Sequence, residues 1–500
     1  MFPHLTHLTQ RPSPPQPHVT FVTVVTLLFV TLLLASCAVG PNYKRPPLDV
    51  PGGFRSAPAI VYTNALGEVP WWEIFRDDAL KNLISTALTN NYDLRVAIAR
   101  VEQARAILAQ NRALFFPQLN YQGSVSRGKN TGGGSTLIFT GGNTVDTLAI
   151  GGSAAWELDL WGRIRRLNES ARAQLLASQE ARRDVTISLI GEVAQAYFRL
   201  LALDQQLAIA QRSTNSFGES LRIFSQRMQG GVVSKLETSA AEAALASAAA
   251  TVPEFERQIT VQENLINLLL GRNPGPVTRN GALFEQPISP AIPAGLPSDL
   301  LTRRPDIRQT EALVRSANAQ VGVALADFFP RLSLTGLFGQ VSPELSAFTA
   351  GGANAWGLAA NLAGPLFQGG RLVGQYHQAQ AVREEAALRY QSTVLRAFQE
   401  VSDDLISVQR FDEARTQQSR AVRAYQVAVQ VAMDRYVAGR ASYYEVLQEQ
   451  QLLFPAENSL AQVQLNQFLA YIQLYTALGG GFGPVPTNTV ENATAKPRKP

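Results

Sequence analysis

The chain has 500 residues, of which 46% are apolar and only 17% charged, the latter below the ~25% of an average soluble domain. Its 44 Lys and Arg against 39 Asp and Glu leave a formal charge of +5, spread along the sequence, with no basic cluster of the kind that tracks nucleic acid. One cysteine and four histidines, three of them at His4, His7 and His18, exclude a disulfide scaffold and leave little for a transition metal or for histidine-based catalysis.

In chain order, the first feature is Val19–Leu34, sixteen residues without a charge. A transmembrane helix needs about 20, so this run suits the apolar region of a signal peptide. Leu34-Ala35-Ser36-Cys37 follows, small residues before the sole cysteine, as a lipoprotein signal peptidase requires. The expectation is removal of residues 1–36 and acylation of Cys37. At about 0.8 kcal/mol per buried CH2, two or three palmitate-type chains anchor a protein durably. Ala38 rather than Asp at the next position directs such a lipoprotein to the outer membrane. Residues 37–77 carry Pro41, Pro46, Pro47 and Pro51 and read as a lipid tether and linker.

A helix is expected from about Asp78 to Leu114, ended by Pro117. From Gln118 to Ser126, Leu119, Tyr121 and Val125 alternate with Asn120, Gln122, Ser124 and Ser126, the period of a strand with one polar face. A Gly-rich loop leads to a second strand, about Val145–Leu160. Arg163 to Gln229 holds no proline, and Leu189, Val193, Tyr197, Leu200, Leu203 and Leu207 recur every three or four residues. That is one helix, and at 1.5 Å per residue a rod of ~100 Å. Gly230-Gly231 turns the chain into a partner helix, about Ser234–Leu270. Eight of the eleven residues Ala240–Ala250 are alanine, so a neighbouring helix can approach closely, as in a coiled coil.

The same order then recurs. Thr89–Arg95 (TNNYDLR) matches Thr302–Arg308 (TRRPDIR), and Phe115–Leu119 (FFPQL) matches Phe328–Leu332 (FFPRL), both at an offset of 213. After the loops the offset is 208: Gly162-Arg163 faces Gly370-Arg371, Glu192 faces Glu400, and Arg227, Gly231 and Ser234 face Arg435, Gly439 and Ser442. An ordered series of this length is a tandem duplication. The copies occupy 78–272 and 296–482, with a Pro/Gly-rich connector at 273–295 and a polar, disordered tail at 483–500. Strands are expected in copy two at Arg331–Gly339 and Asn354–Phe367. Two hairpins give four strands per chain, too few to close around a lumen, and open edges are not tolerated in lipid. Three chains would give twelve.

These features resemble the outer membrane factor family, RND-type efflux lipoproteins of the NodT subfamily. The resemblance is carried by Cys37–Pro46 (CAVGPNYKRP), Pro70–Phe75 (PWWEIF), Leu296–Arg308 (LPSDLLTRRPDIR), Phe329–Gly336 (FPRLSLTG), Leu366–Arg371 (LFQGGR) and Leu478–Gly481 (LGGG). It implies a TolC-like homotrimer that joins a twelve-stranded membrane β-barrel to a twelve-helix periplasmic α-barrel. Such a trimer is the outlet of a tripartite efflux system for drugs, metal ions or other small molecules. Its implied partners are a periplasmic adaptor, or membrane fusion protein, and an inner membrane transporter, with outer membrane lipid held through Cys37. Rival readings are an outlet for type I protein secretion and a non-conducting envelope scaffold.

The residues offer no catalytic constellation and call for no cofactor, metal or nucleic acid. Asp403 and Asp404 are adjacent on a helix and do not face each other, so they read as a solvated or lumenal face. Pro305 is suited to a first helical position, and Asp306 and its counterpart Asp93 to the positive helix end. Gly162, Gly369 and Gly370 stand where strand becomes helix. Trp156, Trp161 and Phe367 are candidates for an interfacial aromatic girdle or for packing at that junction. The resemblance implies a periplasmic constriction at the second helix pair. The family's acidic positions there correspond to Glu445 and Gln448, so three Glu445 carboxylates would converge and attract cations. Arg440 and Tyr444 are latch candidates, and Gly231, Val232, Gly439 and Arg440 are adaptor-contact candidates.

Overall fold

Asn91 breaks the first long helix in two. A computed structural model describes residues 38–55, 70–129, 144–232, 234–287, 295, 297–342 and 354–480. After a single turn, α1 (Trp71–Ile74), come α2 (Asp78–Asn90) and α3 (Tyr92–Ala113), where one continuous helix was expected. The cause is local. The buried Asn91 is extended rather than helical, its Oδ1 accepts the Leu94 N–H at 3.0 Å, and its Nδ2 donates to the Leu269 carbonyl at 3.0 Å. A side chain that satisfies an orphan N–H from outside the helix starts a new helix there. Asp77 does the same for α2, accepting from the N–H groups of Ala79 and Leu80.

The remaining elements are β1 (Gln118–Lys129), β2 (Thr144–Leu158), α4 (Arg163–Gln229), α5 (Lys235–Leu269), α6 (Pro297–Arg303), α7 (Pro305–Ala326), β3 (Arg331–Ser342), β4 (Asn354–Ala363), α8 (Arg371–Val437) and α9 (Tyr443–Ala477). The duplication is visible element by element. Helices α3 and α7 have 22 residues each, α4 and α8 have 67, α5 and α9 have 35, and β1 and β3 have 12. The strands β2 and β4 differ, with 15 and 10 residues.

The residues group into two compact units. Among the described residues, one comprises those within 38–44, 105–174 and 314–385, and the other those within 45–104, 175–313 and 386–480. In the first, the four strands form one antiparallel sheet in the order β1-β2-β3-β4. The register stacks Leu119, Ala154, Gly336 and Leu358 in one row, Tyr121, Gly152, Phe338 and Trp356 in another, and Trp156, Leu334 and Ala360 in a third. Paired residues share a face, so one face carries Leu119, Tyr121, Val125, Leu148, Ile150, Trp156, Leu334, Phe338, Trp356, Leu358 and Leu362. The opposite face carries Asn120, Gln122, Ser124, Ser126, Thr147, Ser153, Ser333, Thr335 and Asn361, interrupted by Leu337 and Val341. Across the β2–β3 seam Gly151 faces Gly339 so closely that a Cβ on Gly339 would lie 2.4 Å from the Ile150 carbonyl oxygen. Backbones can meet there only without side chains. Trp161 packs at the junction: it stacks on Phe329 with ring centres 4.7 Å apart and donates to the Pro330 carbonyl.

In the second unit the interior is apolar and aromatic. Leu80, Ile84, Val193, Tyr197, Leu200, Ile266 and Leu283 are buried together, and Phe198 stacks on Phe468 with centres 4.4 Å apart. Leu189, Val193, Tyr197 and Leu200 of the expected stripe are fully buried, while Leu203 and Leu207 are half-buried. The connector is tied down by polar contacts. Arg279 bridges Asp204 at 2.8 Å and Glu263 at 2.7 Å, and the buried Tyr197 hydroxyl donates to Asp77 at 2.7 Å while accepting the Asn280 N–H.

Candidate gate and the joints of the two repeats

Each helix pair ends in the same backbone turn. At the α4–α5 tip Gly231 has φ +75°, its N–H bonds the Met228 carbonyl, and the Val232 N–H bonds the Arg227 carbonyl. At the α8–α9 tip Gly439 has φ +69°, bonding Tyr436, and the Arg440 N–H bonds the Arg435 carbonyl. This closes the orphan carbonyls of a helix end, and only glycine takes that φ at low cost. Val232 and Arg440 are exposed beside the two glycines.

The side chains of the second tip face two ways. Tyr443, Val446, Leu447 and Gln450 are buried, while Tyr444 and Gln448 are exposed and Glu445 is partly covered. Glu445 does not stand as a free acid: Arg435 Nη1 lies 3.2 Å from its Oε2. The buried side is aromatic. Phe224 meets Tyr443 with ring centres 3.7 Å apart and Tyr436 edge-on at 5.7 Å, and the Arg227 guanidinium lies 4.2 Å above the Tyr436 ring. Burial pushes the Tyr443 hydroxyl up to about 12, so it is a neutral phenol at any physiological pH. Gln450 extends the tie, donating to the Ser216 hydroxyl at 3.0 Å. Arg440 and Tyr444, expected as latches across a subunit boundary, are both exposed and lie outside this cluster of one chain. Near the tips, Phe224, Arg227, Tyr436, Tyr443 and Gln450 are among the residues that join the two helix pairs. The sequence carries their aromatic character but not which helix each one meets.

The other end of each helix pair is held by equivalent positions. In copy one Asn91 donates to the last carbonyl of α5, and in copy two Arg304 Nη1 donates to the last carbonyl of α9, that of Ala477, at 3.1 Å. Asp93 sits in the first turn of α3, but the capping side chain there is Asn91. Pro305 opens α7, and Asp306 accepts the Ile307 N–H at 2.8 Å and pairs with Arg304 through both oxygens, at 3.0 and 2.7 Å. Arg304 also meets Glu400 at 2.8 Å. Asp184, Glu400, Asp403 and Asp404 line the same cavity of about 440 Å³. Asp403 is exposed, as on a solvated face, while Asp404 is half-buried beside the other acids. Burial first, then the charges of Glu400 and Asp403, push the Asp404 carboxyl up to about 7 against the opposing pull of Arg304. Asp184 is raised by burial and by Asp306.

Where strand becomes helix, Gly162, Gly369 and Gly370 all have positive φ, at +82°, +54° and +84°. Copy one caps α4 with Asp159, which accepts from the N–H groups of Ile164 and Arg165. In copy two Phe367 stands at the equivalent position, 90% exposed beside the fully exposed Leu366. Cys37 lies outside the described residues.

A sheet with one apolar face and edges unpaired among the described residues, together with long paired helices that end in matched turns, defines the class of outer membrane channels with a helical extension. The model of the outer membrane efflux protein family matches residues 83–272 and 296–480, and the chain belongs to that family. It is 34% identical over 464 residues to the solvent efflux pump outer membrane protein SrpC of Pseudomonas putida, covering 91% of this chain and 97% of that one. It is 33% identical to the cation efflux system protein CusC of Escherichia coli, covering 91% and 97%. The crystal structure of the open state of the Neisseria gonorrhoeae MtrE outer membrane channel superposes with a TM-score of 0.81 at 29% identity, covering 89% and 98%. The fold is that of the TolC-like efflux channels, and the protein is an outer membrane efflux channel.

Proposed function

We propose that three copies of the chain pool their sheets into a twelve-stranded barrel continued by a twelve-helix periplasmic tunnel. This homotrimer is the passive exit duct of a tripartite pump. The observation that carries the reading is the sheet itself: four strands, both outer edges unpaired among the described residues, and one face of Leu, Val, Phe and Trp exposed in the single chain. Unpaired strand edges cost several kcal/mol per polar group in lipid, and each large apolar side chain left in water forfeits about 1.5–3 kcal/mol. Further copies relieve the first penalty and lipid the second. The exposed Leu366, Phe367, Val373 and Val382 supply apolar surface for a neighbouring copy.

In this reading residues 1–36 are removed, Cys37 is acylated, and the repeats at 78–272 and 296–482 each supply a hairpin and a helix pair. A periplasmic adaptor meets the tips at Gly231, Val232, Gly439 and Arg440. An inner membrane RND-type transporter supplies the energy. The cargo is small solutes, the class to which the solvents and cations named for the relatives belong. Glu445 and Gln448 ring the constriction, with the Glu445 charge shared by Arg435 and with Arg440 and Tyr444 free to latch across subunits. Imaging of single particles extracted from outer membranes in mild detergent tests the assembly, and planar-bilayer conductance tests the duct. Threefold particles that conduct are expected, together with sensitisation to solvents, antibiotics or metal salts on deletion. A monomer without conductance would sink the reading in favour of an envelope scaffold.

A further inference from the structure

Nothing in a conduit explains the stretch that follows the cysteine, Ala38-Val39-Gly40-Pro41-Asn42-Tyr43. Proline-containing and without periodicity, it suits a loose tether, yet each of its six residues makes a specific contact. Ala38 lies against Gly162 so closely that a Cβ on that glycine would be 2.5 Å from the Ala38 Cβ. The Val39 N–H donates to the Trp161 carbonyl at 2.9 Å. The Asn318 amide, itself buried, donates to the Pro41 carbonyl at 2.8 Å. Arg315 lies 4.9 Å above the Tyr43 ring.

At the centre is Arg166, 4% exposed. Its Nε donates to the Val39 carbonyl at 3.2 Å, and its Nη2 donates to the Gly40 carbonyl at 3.1 Å and to Asn42 Oδ1 at 3.0 Å. Its Nη1 is neutralised by Glu169 at 2.7 Å. The guanidinium is brought close enough by two glycines. A Cβ on Gly322 would sit 2.9 Å from Arg166 Cγ, and a Cβ on Gly40, whose φ is +95°, would sit 2.5 Å from the Gly322 Cα. Gly40, Gly322 and Arg166 thus form a stack with no room for a methyl group. If the strap left, a buried guanidinium would lose three acceptors, which a charged donor in a covered site resists.

We infer that Ala38–Tyr43 is a docking strap and that Arg166 is the positioning residue that reads it. The N-terminus is thereby clamped at the turn from β2 into α4 rather than swung on a linker. The consequence for the lipid rests on the acylation of Cys37 proposed above. One peptide bond separates Cys37 from Ala38, so the clamp fixes the point at which acyl chains join the channel. The docking itself does not depend on acylation.

Limited trypsinolysis of the full-length mature protein, in outer membranes and in mild detergent, tests this at the exposed Lys44, with mass spectrometry of the freed fragment 37–44. Cleavage of a docked segment tracks the population of its open form. The wild-type bond is expected to be cut slowly, and Arg166→Ala to speed cutting on the order of tenfold or more. Arg166→Lys, which keeps the charge but loses the planar fork, should fall between. Gly40→Val alters only the strap and leaves the receptor whole, so it should match Arg166→Ala even if that variant folds poorly. Rapid wild-type cutting, or variants protected as well as wild type, would overturn the docking. An unacylated fragment from a protected strap would instead overturn the lipidation and leave the docking standing.

Discussion

The two tips of the repeat use one sequence position in two ways. Glu237 and Glu445 are equivalent at an offset of 208. In copy one Glu237 reaches back to accept the Ser234 N–H at 2.7 Å, closing its own helix end in the manner of a capping box. In copy two Glu445 makes no such closure and lies 3.2 Å from Arg435, on the helix before the turn. Its counterpart Arg227 is not paired across the first tip in this way but covers the Tyr436 ring of the other copy. The joints differ in the same sense. Asn91 makes a neutral bond to the last carbonyl of α5, whereas Arg304 makes that bond to α9 and also gathers Asp306 and Glu400. Duplication kept the backbone and left the side chains free to diverge, and copy two turned them toward charged contacts between elements.

The comparison breaks or sharpens first at the joints. Arg304→Ala should cost about 2–3 kcal/mol, since it removes a buried guanidinium that bonds the Ala477 carbonyl and pairs with the partly covered Asp306 and Glu400. Asn91→Ala should cost about 1–2 kcal/mol, a cap and one buried hydrogen bond. Thermal melting of the assembled protein reads both, and equal losses would mean that the joints are energetically alike despite their chemistry.

Next in size is the pH dependence of copy two's joint. Asp404 is held near 7 in the folded protein against 3.8 for an ordinary aspartate, so the folded state binds its proton more tightly than the unfolded chain does. Its contribution is therefore fully present below about pH 4, declines as pH rises from 4 to 7, and is gone once the carboxyl ionises above 7. Asp404→Asn should raise the melting temperature at pH 8 by a few degrees, on the order of 1 kcal/mol. At pH 4, near the ordinary pKa of an aspartate, it should change little. A gain of equal size at both values would show that charge at this site is not the cause.

The tips give the smallest changes in stability and a distinct change in conduction. Glu237→Gln should cost about 0.5–1 kcal/mol, because a neutral amide closes the cap less well. Glu445→Gln should cost under about 0.5 kcal/mol, as an exposed ion pair contributes little. Arg435→Ala should leave stability almost unchanged yet raise cation selectivity in bilayer recordings at low salt, by releasing the Glu445 charges. Unchanged selectivity would place Glu445 away from the conduction path.

Much of this was legible in the residues alone. The bounds of α4, Arg163–Gln229, and the starts of β1, β3 and β4 coincide with those expected from the sequence, because proline, glycine and apolar spacing act locally. The break at Asn91 was not legible, since TNNYDLR is compatible with a continuous helix and only the distant Leu269 carbonyl fixes Asn91 outside it. The candidate gate was half legible. The family resemblance points to Glu445, but its partner Arg435 and the aromatic group around Tyr443 depend on which helix faces lie together. Arg304 was read within a motif, yet its carboxylates come from α4, α7 and α8, and no spacing in the sequence joins them.

Sequence by itself determined the duplication, the alternation of the strands and the lengths of the helices, because each is a periodic pattern that the backbone expresses wherever it lies. Tertiary structure decided that β2 of the first copy pairs with β3 of the second, that Gly40 meets Gly322 beneath Arg166, and that Arg304 meets Glu400 in a cavity also lined by Asp184, Asp403 and Asp404. These are contacts between residues tens to hundreds of positions apart, chosen by burial and by the need of each buried polar group for a partner.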